Sequence, residues 1–247
     1  AKLKHLRLRG VQMHIGSQIT KTGPFENAVR KMLPLVRRLT ERHGLEFFSI
    51  GGGLGILYQF ALVSGPAQWW RSAAARGIIT PAAYAARLLP LLKPLGLRIL
   101  LEPGRFISGN SGVLITRVEY VKRTGRKNFV IVDAAMNDLI RPAFYDAYHE
   151  IVPLTRRRSR MMKADVVGGV CESGDFFCKD RLLPHVAEGD YLALMSAGAY
   201  GFVMASNYNS RALTAEVLVR DRQAALVRER QPLKEIWAGE RIAPWLQ

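Results

Sequence analysis

The sequence of 247 residues is 49% hydrophobic and 23% charged, which is typical of a globular protein with one large domain or two smaller ones. Its two cysteines, Cys171 and Cys178, are too few for a disulfide framework, and the five histidines do not cluster at metal-ligand spacing. We therefore predict no metal site, and we expect the reducing environment of the cytoplasm.

The formal net charge of +16 indicates anionic partners, either nucleic acid or small phosphate and carboxylate ligands. The densest basic run, RRRSR at 156–160, lacks interleaved aromatic residues, which favours a solvated loop over a nucleic-acid surface. The longest uncharged run, between Asp190 and Arg211, contains serine, glycine, asparagine and tyrosine throughout. It predicts core strands and not a membrane span, so we expect neither a nucleic-acid nor a membrane partner.

Residues 1–112 alternate between strand and helix patterns, which predicts a parallel sheet covered by helices. The predicted strands are LRGVQMHIG (8–16), LEFFSIGGG (45–53) and LRILLEPGR (97–105), and the helices are PFENAVRKMLPLVRRLTERHG (24–44) and TPAAYAARLLPLLKPLG (80–96). Gly44 is placed as the C-cap of the first helix, and Thr80 with Pro81 begins the second. Residues 57–79, with the Trp69–Trp70 pair, are interpreted as an insertion that packs on the surface.

Residues 113–247 predict a second, β-rich domain, because β-branched runs separated by turns replace the helical pattern. These runs are GVLITRVEYVKR (112–123), KNFVIVDAA (127–135), ADVVGGVCE (164–172), GDYLALMSAG (189–198) and TAEVLVRD (214–221).

Three successive predicted strands of the first domain end in short clusters of glycine and polar residues: HIGSQ (14–18), GGGLG (51–55) and EPGR (102–105). Ligands of parallel α/β proteins bind beyond the carboxyl ends of strands, so these clusters predict one binding rim. GGGLG fits neither a dinucleotide fingerprint nor a P-loop. It offers either bare N–H groups for an anion, which we favour, or a turn that needs positive φ. Glu102 and Arg105 form either a salt bridge or two ligand-binding groups.

Cys171 lies in GGVCESGDFF (168–177), between glycines and turn-forming residues. Such a place is polar and accessible, where a reactive thiol is found. The alternative is a loop cysteine without a role.

The motifs together resemble those of the diaminopimelate decarboxylases, pyridoxal-phosphate enzymes with an alanine-racemase-like barrel. The motifs that carry the resemblance, in family order, are HIGSQ, GGGLGI, LEPGRFI, VDAAMNDLIRPAFYDAYHEI, VGGVCESGD and GAYGFVMASNYNSR. The resemblance covers residues 10–220. It implies the last three units of a (β/α)8 barrel in residues 1–112, a Greek-key barrel-like β domain in residues 113–247, and pyridoxal 5'-phosphate as cofactor. The implied reaction converts meso-2,6-diaminopimelate to L-lysine and CO2.

The resemblance also implies a role for each site residue. His14 matches the imidazole that stacks on the cofactor ring, and Cys171 the general acid that protonates the substrate carbon. The residues matching cofactor binders are Ser17, Gly51, Gly52, Gly53, Glu102, Pro103, Gly104, Arg105 and Tyr200. Glu102 would face the pyridine nitrogen. The residues matching substrate binders are Arg105, Arg141, Tyr145, Glu172 and Tyr200. In the family the site lies at the interface of a homodimer, and the loop of Cys171 comes from the second subunit.

One departure from the family is large, because the cofactor-binding lysine in its aromatic-Ala-x-Lys context is absent from this sequence. Lys122 in EYVKR is a superficial match at the strand leading into the β domain. The sequence begins with Ala1 and not with methionine, so we interpret it as starting in the middle of a protein, and we see no signal peptide. We expect that about 150–200 residues of barrel precede it and that the chain alone is inactive.

Three alternatives stay open. The first is a related decarboxylase acting on another amino acid, such as carboxynorspermidine or an acylated glutamate. The second is a non-catalytic remnant or binding module, for which every implied catalytic role would reflect ancestry alone. The third and weakest is nucleic-acid binding through the basic charge.

Overall fold

The computed structural model describes residues 4–61, 78–155 and 160–246. The chain forms two compact units, Ala1–Gly112 and Val113–Gln247. Two features of the sequence lie outside the described residues, namely the Trp69–Trp70 pair with most of segment 57–79, and the basic residues 156–159.

The first unit is a three-stranded sheet with helices between its strands. In chain order its elements are β1 (Gly10–Gln12), α1 (Thr22–His43), β2 (Phe47–Ser49), α2 (Pro81–Leu92), β3 (Arg98–Leu100) and α3 (Gly104–Ser108), with short 3-10 helices at Lys93–Leu95 and Gly109–Ser111. The central strand β2 pairs in parallel with both β1 and β3. The predicted parallel arrangement is confirmed, although each strand is shorter than the predicted run, because the regular strands end at Gln12, Ser49 and Leu100.

Local signals predicted the end of the first long helix and the beginning of the second, whereas α1 begins at Thr22 and α2 ends at Leu92. Gly44 closes α1 in the left-handed conformation, with φ of 62°, and its N–H donates to the Thr40 carbonyl at 2.8 Å. Thr80 caps α2, because its Oγ1 accepts a hydrogen bond from the Ala83 N–H at 3.1 Å, and Pro81 occupies the first turn.

A single hydrophobic core joins these helices to the sheet. Its fully or nearly fully buried members are Phe25, Val29, Val36, Phe48, Ile50, Leu54, Ile79, Tyr84, Leu88 and Leu92. The Tyr84 ring meets Phe25 edge to face, with centroids 5.0 Å apart. Burial raises the pKa of Tyr84 to about 12, because the phenolate would lose its hydration in this apolar setting.

The second unit contains a six-stranded sheet and a separate hairpin. Its elements are β4 (Leu114–Arg123), β5 (Asn128–Val132), α4 (Arg141–Tyr145), β6 (Ile151–Pro153), β7 (Met161–Val167), β8 (Phe176–Pro184), β9 (Tyr191–Leu194), β10 (Glu216–Arg220) and β11 (Gln223–Arg228). Short 3-10 helices cover Phe202–Met204, Tyr208–Ser210, Leu233–Glu235 and Pro244–Leu246. The sheet order is β6-β9-β4-β5-β7-β8, with β5 and β7 parallel and the other neighbours antiparallel.

The β-rich character of this unit is confirmed, since every predicted run contains a strand, but β6, β8 and β11 are additional. The interpretation of residues 190–211 as core strands is wrong beyond Leu194. There the chain makes tight turns and two 3-10 helices, with left-handed backbone at Ser196 and Tyr200. No helix among the described residues is both long and apolar enough to cross a membrane.

Replacing Tyr84 by phenylalanine should remove part of the alkaline loss of stability. An unfolded tyrosine ionises near pH 10, whereas Tyr84 in the fold stays neutral to about pH 12. The free energy of unfolding therefore falls as pH rises between these values, and this component is absent in Tyr84→Phe. Urea unfolding between pH 9 and 11.5 measures it, with Tyr208→Phe, at a 46% exposed position, as the control. Identical pH dependence in wild type and Tyr84→Phe would contradict the assignment.

Candidate active site

The ends of three parallel strands bring polar groups together in the first unit. His14 follows β1 by two residues, Gly51 follows β2 by two, and Glu102 follows β3 by two. Main-chain bonds continue between the strand ends, since the Glu102 N–H donates to the Gly51 carbonyl at 3.0 Å. Because the strands are parallel, all three clusters lie at the same edge of the sheet.

The three consecutive glycines are required by close main-chain packing. A Cβ at Gly51 would lie 2.3 Å from the Met13 carbonyl oxygen, and a Cβ at Gly52 would lie 2.2 Å from that of Glu102. Gly51 and Gly53 also have positive φ, of 72° and 100°. The turn interpretation thus accounts for the glycines by itself, and anion binding by this loop stays a prediction.

Two of the loop amides already have acceptors within the unit. The Gly51 N–H donates to Ser49 Oγ at 3.2 Å, and the Gly52 N–H donates to His14 Nδ1 at 3.3 Å. The second bond fixes the His14 ring, with Nδ1 as acceptor and Nε2 as the protonated nitrogen when the ring is neutral. Gly53 is partly exposed, whereas Gly51 and Gly52 are buried.

Glu102 presents an oriented carboxylate at the exposed strand end. The Gln12 amide donates to both carboxylate oxygens, at 3.0 and 3.1 Å, and the buried Ser49 hydroxyl donates to Oε1 at 2.6 Å. Sequence reasoning missed both partners. Two signals were available: Gln12 precedes His14 by two residues, which places both on one strand face, and Ser49 precedes the glycine loop by two residues.

Arg105 contacts Ser17 and Tyr58. Its Nη2 and Nε donate to Ser17 Oγ at 3.0 and 3.3 Å, Nη1 donates to the Tyr58 hydroxyl, and Cζ lies 5.7 Å from the Tyr58 ring centroid. Tyr58 belongs to the segment interpreted as an insertion, so at least its beginning contributes to the strand-end cluster. Pro103 and Gly104 connect Glu102 to Arg105, and the Gly104 N–H donates to the Glu102 carbonyl at 2.9 Å.

In the second unit, Cys171 lies on an exposed turn held by one buried carboxylate. Asp175 is 5% exposed, and its Oδ2 and Oδ1 accept the N–H groups of Val170 and Met136, each at 2.7 Å. Burial raises the pKa of Asp175, and these two hydrogen bonds partly oppose that increase. A Cβ at Gly168 would lie 2.5 Å from the same carboxylate, which explains this glycine. Asp175 was quoted within the motif, but its anchoring role was missed.

Glu172 shares this turn, and its Oε1 accepts the Gly174 N–H at 3.1 Å. The other cysteine, Cys178, is 4% exposed on β8, and burial raises the pKa of its thiol. The two cysteines therefore differ in accessibility, and the predicted exposure of Cys171 is confirmed.

Arg141 and Tyr145 begin and end the short helix α4. Arg141 is only 6% exposed, and its Nη1 lies 2.7 Å from Nε2 of the fully buried His149. Tyr145 is 58% exposed and packs on Phe144, with ring centroids 4.6 Å apart. Tyr200 is 42% exposed with φ of 58°, a conformation that is uncommon outside glycine and occurs at functional turns.

The predicted site residues are thus divided between the two units. His14, Ser17, the glycine loop, Glu102 and Arg105 are brought together in the first unit, and the second unit carries Cys171, Glu172, Arg141, Tyr145 and Tyr200. The meeting of the two groups in one site stays a prediction, as do their individual roles.

Polar clusters at the ends of parallel strands are typical of α/β proteins that bind small ligands. Comparison with known proteins gives the family. Residues 21–198 match the model described as pyridoxal-dependent decarboxylase, C-terminal sheet domain, and the chain belongs to this family. The resemblance read from the motifs is confirmed at this level, and so is pyridoxal phosphate as the family's cofactor.

Similar proteins are diaminopimelate decarboxylases. The protein of that name from Pseudomonas aeruginosa is 46% identical over 99% of this chain and 55% of its own length, and that from Aquifex aeolicus is 44% identical over 94% and 52%. The crystal structure of the Helicobacter pylori enzyme complexed with L-lysine is 39% identical, with a TM-score of 0.84 over 96% of this chain and 55% of that one. The chain spans about half the length of the curated relatives it matches.

Gly52→Ala should destabilise the first unit, whereas Gly104→Ala should not. The added methyl at position 52 meets a main-chain oxygen that cannot move away, while a Cβ at position 104 meets nothing within 4 Å. Such overpacking costs about 1–3 kcal/mol. Urea unfolding of the two variants measures the difference. Equal free energies of unfolding for the two variants would show that the main chain at the strand ends can move apart to accommodate a Cβ.

In the folded 247-residue chain, Cys171 should react fast with Ellman's reagent, and Cys178 only on unfolding. The exposed Cys171 accounts for the fast phase, because Cys178 is buried and its raised pKa lowers its thiolate fraction. Cys171→Ser should remove the fast phase, and Cys178→Ser should leave it. A fast phase that survives in Cys171→Ser would contradict the placement of the loop.

Proposed function

We propose that this chain supplies the C-terminal part of a pyridoxal-phosphate enzyme that converts meso-2,6-diaminopimelate to L-lysine and CO2, the last step of lysine biosynthesis. The observation that carries the proposal is the convergence of His14, the glycine loop and Glu102 with Arg105 at the ends of three neighbouring strands. The named activity of relatives that are 44–46% identical over nearly the whole chain supports the choice of substrate.

The chemistry of the strand-end groups fits the proposed cofactor. Arg105 with Ser17 offers a cation and a hydroxyl for the phosphate, and the Gly53 amide offers a further donor. The Glu102 carboxylate, oriented by two donors, suits a protonated ring nitrogen, and the His14 ring is held in place to stack on the cofactor plane. When bound there, pyridoxal phosphate withdraws electrons from the substrate carbon that loses CO2.

The residues of the second unit would bind the substrate and return a proton. In this proposal the Cys171 thiol donates its proton to the carbon that has lost CO2, and solvent restores the thiol. Glu172 binds the ammonium of the distal amino-acid group, and Arg141 with Tyr145 binds the rest of that group. Tyr200 contacts the cofactor or the substrate.

We further propose that the first unit is the end of a (β/α)8 barrel and that the second is a Greek-key barrel-like domain. The active form would be a homodimer in which the loop of Cys171 completes the site of the other subunit. The exposure of Cys171 supports this arrangement, since a buried thiol could not reach a second chain. The 247-residue chain alone would not turn over, because the sequence lacks the family's lysine motif.

The test is a decarboxylation assay on the open reading frame that contains Ala1, expressed at its natural length. CO2 release from meso-diaminopimelate is expected to exceed that from lysine, ornithine, carboxynorspermidine and acylated glutamate. Preference for one of the other substrates would replace the proposed reaction, and no turnover on any of them would favour a non-catalytic module. Sequencing upstream of Ala1 for an in-frame lysine motif accompanies the assay.

Arg141→Ala and Glu172→Ala should raise KM for diaminopimelate by about tenfold or more, because each removes a charge-assisted contact to the distal group. The preference of both variants for diaminopimelate over the other assayed substrates should fall as well. Glu188→Ala is the control, since this exposed carboxylate belongs to neither group. An unchanged KM in both variants would remove them from the substrate site.

A further inference from the structure

The side chain next to Arg141 is an imidazole that the motif contains but that has no assigned role. His149 immediately precedes Glu150 and strand β6, and it is 0% exposed. Its Nε2 lies 2.7 Å from Arg141 Nη1, and its Nδ1 lies 2.8 Å from the Met195 carbonyl oxygen. Each ring nitrogen is therefore at hydrogen-bonding distance from a group that can act only as a donor or only as an acceptor.

These two partners determine the protonation of the ring. A carbonyl oxygen can only accept a hydrogen bond, so Nδ1 must carry a proton. A guanidinium can only donate, so Nε2 must present its lone pair to Arg141. The neutral imidazole with its proton on Nδ1 is the form that satisfies both contacts.

The main chain holds the imidazole in place. Strands β6 and β9 are antiparallel, with Ile151 opposite Leu194, and the Met195 N–H donates to the Glu150 carbonyl at 2.8 Å. The carbonyl that receives Nδ1–H is thus fixed by sheet pairing. Arg181 also donates to the His149 carbonyl. The ring offers Arg141 an acceptor at a position that the surrounding fold determines.

We propose that His149 is a positioning residue that orients the Arg141 guanidinium towards the substrate's distal amino-acid group. Because a guanidinium is planar and its donors form a rigid fork, fixing one Nη fixes the direction of the others. Arg141 is only 6% exposed, so water has little access to compete for this contact. This inference rests on the proposed function. It adds a structural reason why the site would select substrates that carry a distal amino-acid group.

Two amide variants separate the contacts of the ring. The Gln side-chain oxygen can reach the position of Nε2, so His149→Gln keeps an acceptor for Arg141. The Asn side-chain nitrogen can reach the position of Nδ1, so His149→Asn keeps the donor to Met195 but loses the Arg141 contact. Both variants remove the aromatic ring from the same buried site, so both carry a similar packing defect, which thermal unfolding measures.

The natural-length enzyme is assayed for kcat and KM with meso-diaminopimelate and for L-lysine binding by calorimetry. His149→Asn is expected to raise KM and the lysine Kd by about tenfold or more, with kcat changed by less than about twofold. His149→Gln should stay within about threefold of wild type in all three quantities. In wild type, 15N shifts of the His149 ring should report the proton on Nδ1.

Equal KM values for the two variants, at turnover comparable to wild type, would overturn the positioning role. A ring protonated on Nε2 alone would overturn it even if neither variant folds. If the wild-type enzyme turns over another substrate instead of diaminopimelate, the proposed function fails, and the assigned role in recognising its distal group fails with it. The kinetic comparison and the wild-type assay therefore distinguish the two failures.

Discussion

Main-chain contact at the strand ends is the constraint on which the first unit depends. The glycine loop after β2 lies against the main chain that follows β1 on one side and β3 on the other, at distances that leave no room for a Cβ. Because the backbones meet so closely, the side chains of His14 and Glu102 are brought to one sheet edge. Close packing of the main chain thus determines the arrangement of the strand ends, and the polar side chains take their positions from it.

Local signals in the sequence predicted local features well. Thr80 with Pro81 and Gly44 marked helix ends, because capping depends on residues within one turn. The strand β8 was missed because Lys179, Asp180 and Arg181 interrupt its apolar alternation. Asp180 has φ of 50°, and its N–H donates to the Asp165 carboxylate at 2.6 Å, a contact to another strand that no local pattern contains.

The motifs of the candidate site were predictable from the sequence, but the contacts that hold its residues in place were not. The strand-end clusters were visible because polar residues follow apolar runs, whereas the partners of the key groups are distant in sequence. Tyr58 with Arg105 and Asp175 with Met136 meet only after the chain has folded. Family resemblance supplied the expected roles of the site residues, whereas the contacts that orient those residues were visible only in the folded structure. A buried polar group such as the Asp175 carboxylate is costly unless it is fully hydrogen-bonded. Its role therefore depends on the geometry of the fold and cannot be read from the local sequence.

The strand pairing also has a consequence for the order in which the chain folds. In the first unit, β1, β2 and β3 can pair only after the helices between them have brought distant segments together, whereas β10 and β11 are joined by a tight turn. Loop-closure entropy makes the distant pairings slower than the local ones. During synthesis the parallel sheet would therefore spend the longer time with exposed apolar edges. The six-stranded sheet is delayed for the same reason, because Leu114 on β4 pairs with Leu194 on β9, so we expect chaperone demand for both sheets and not for the hairpin.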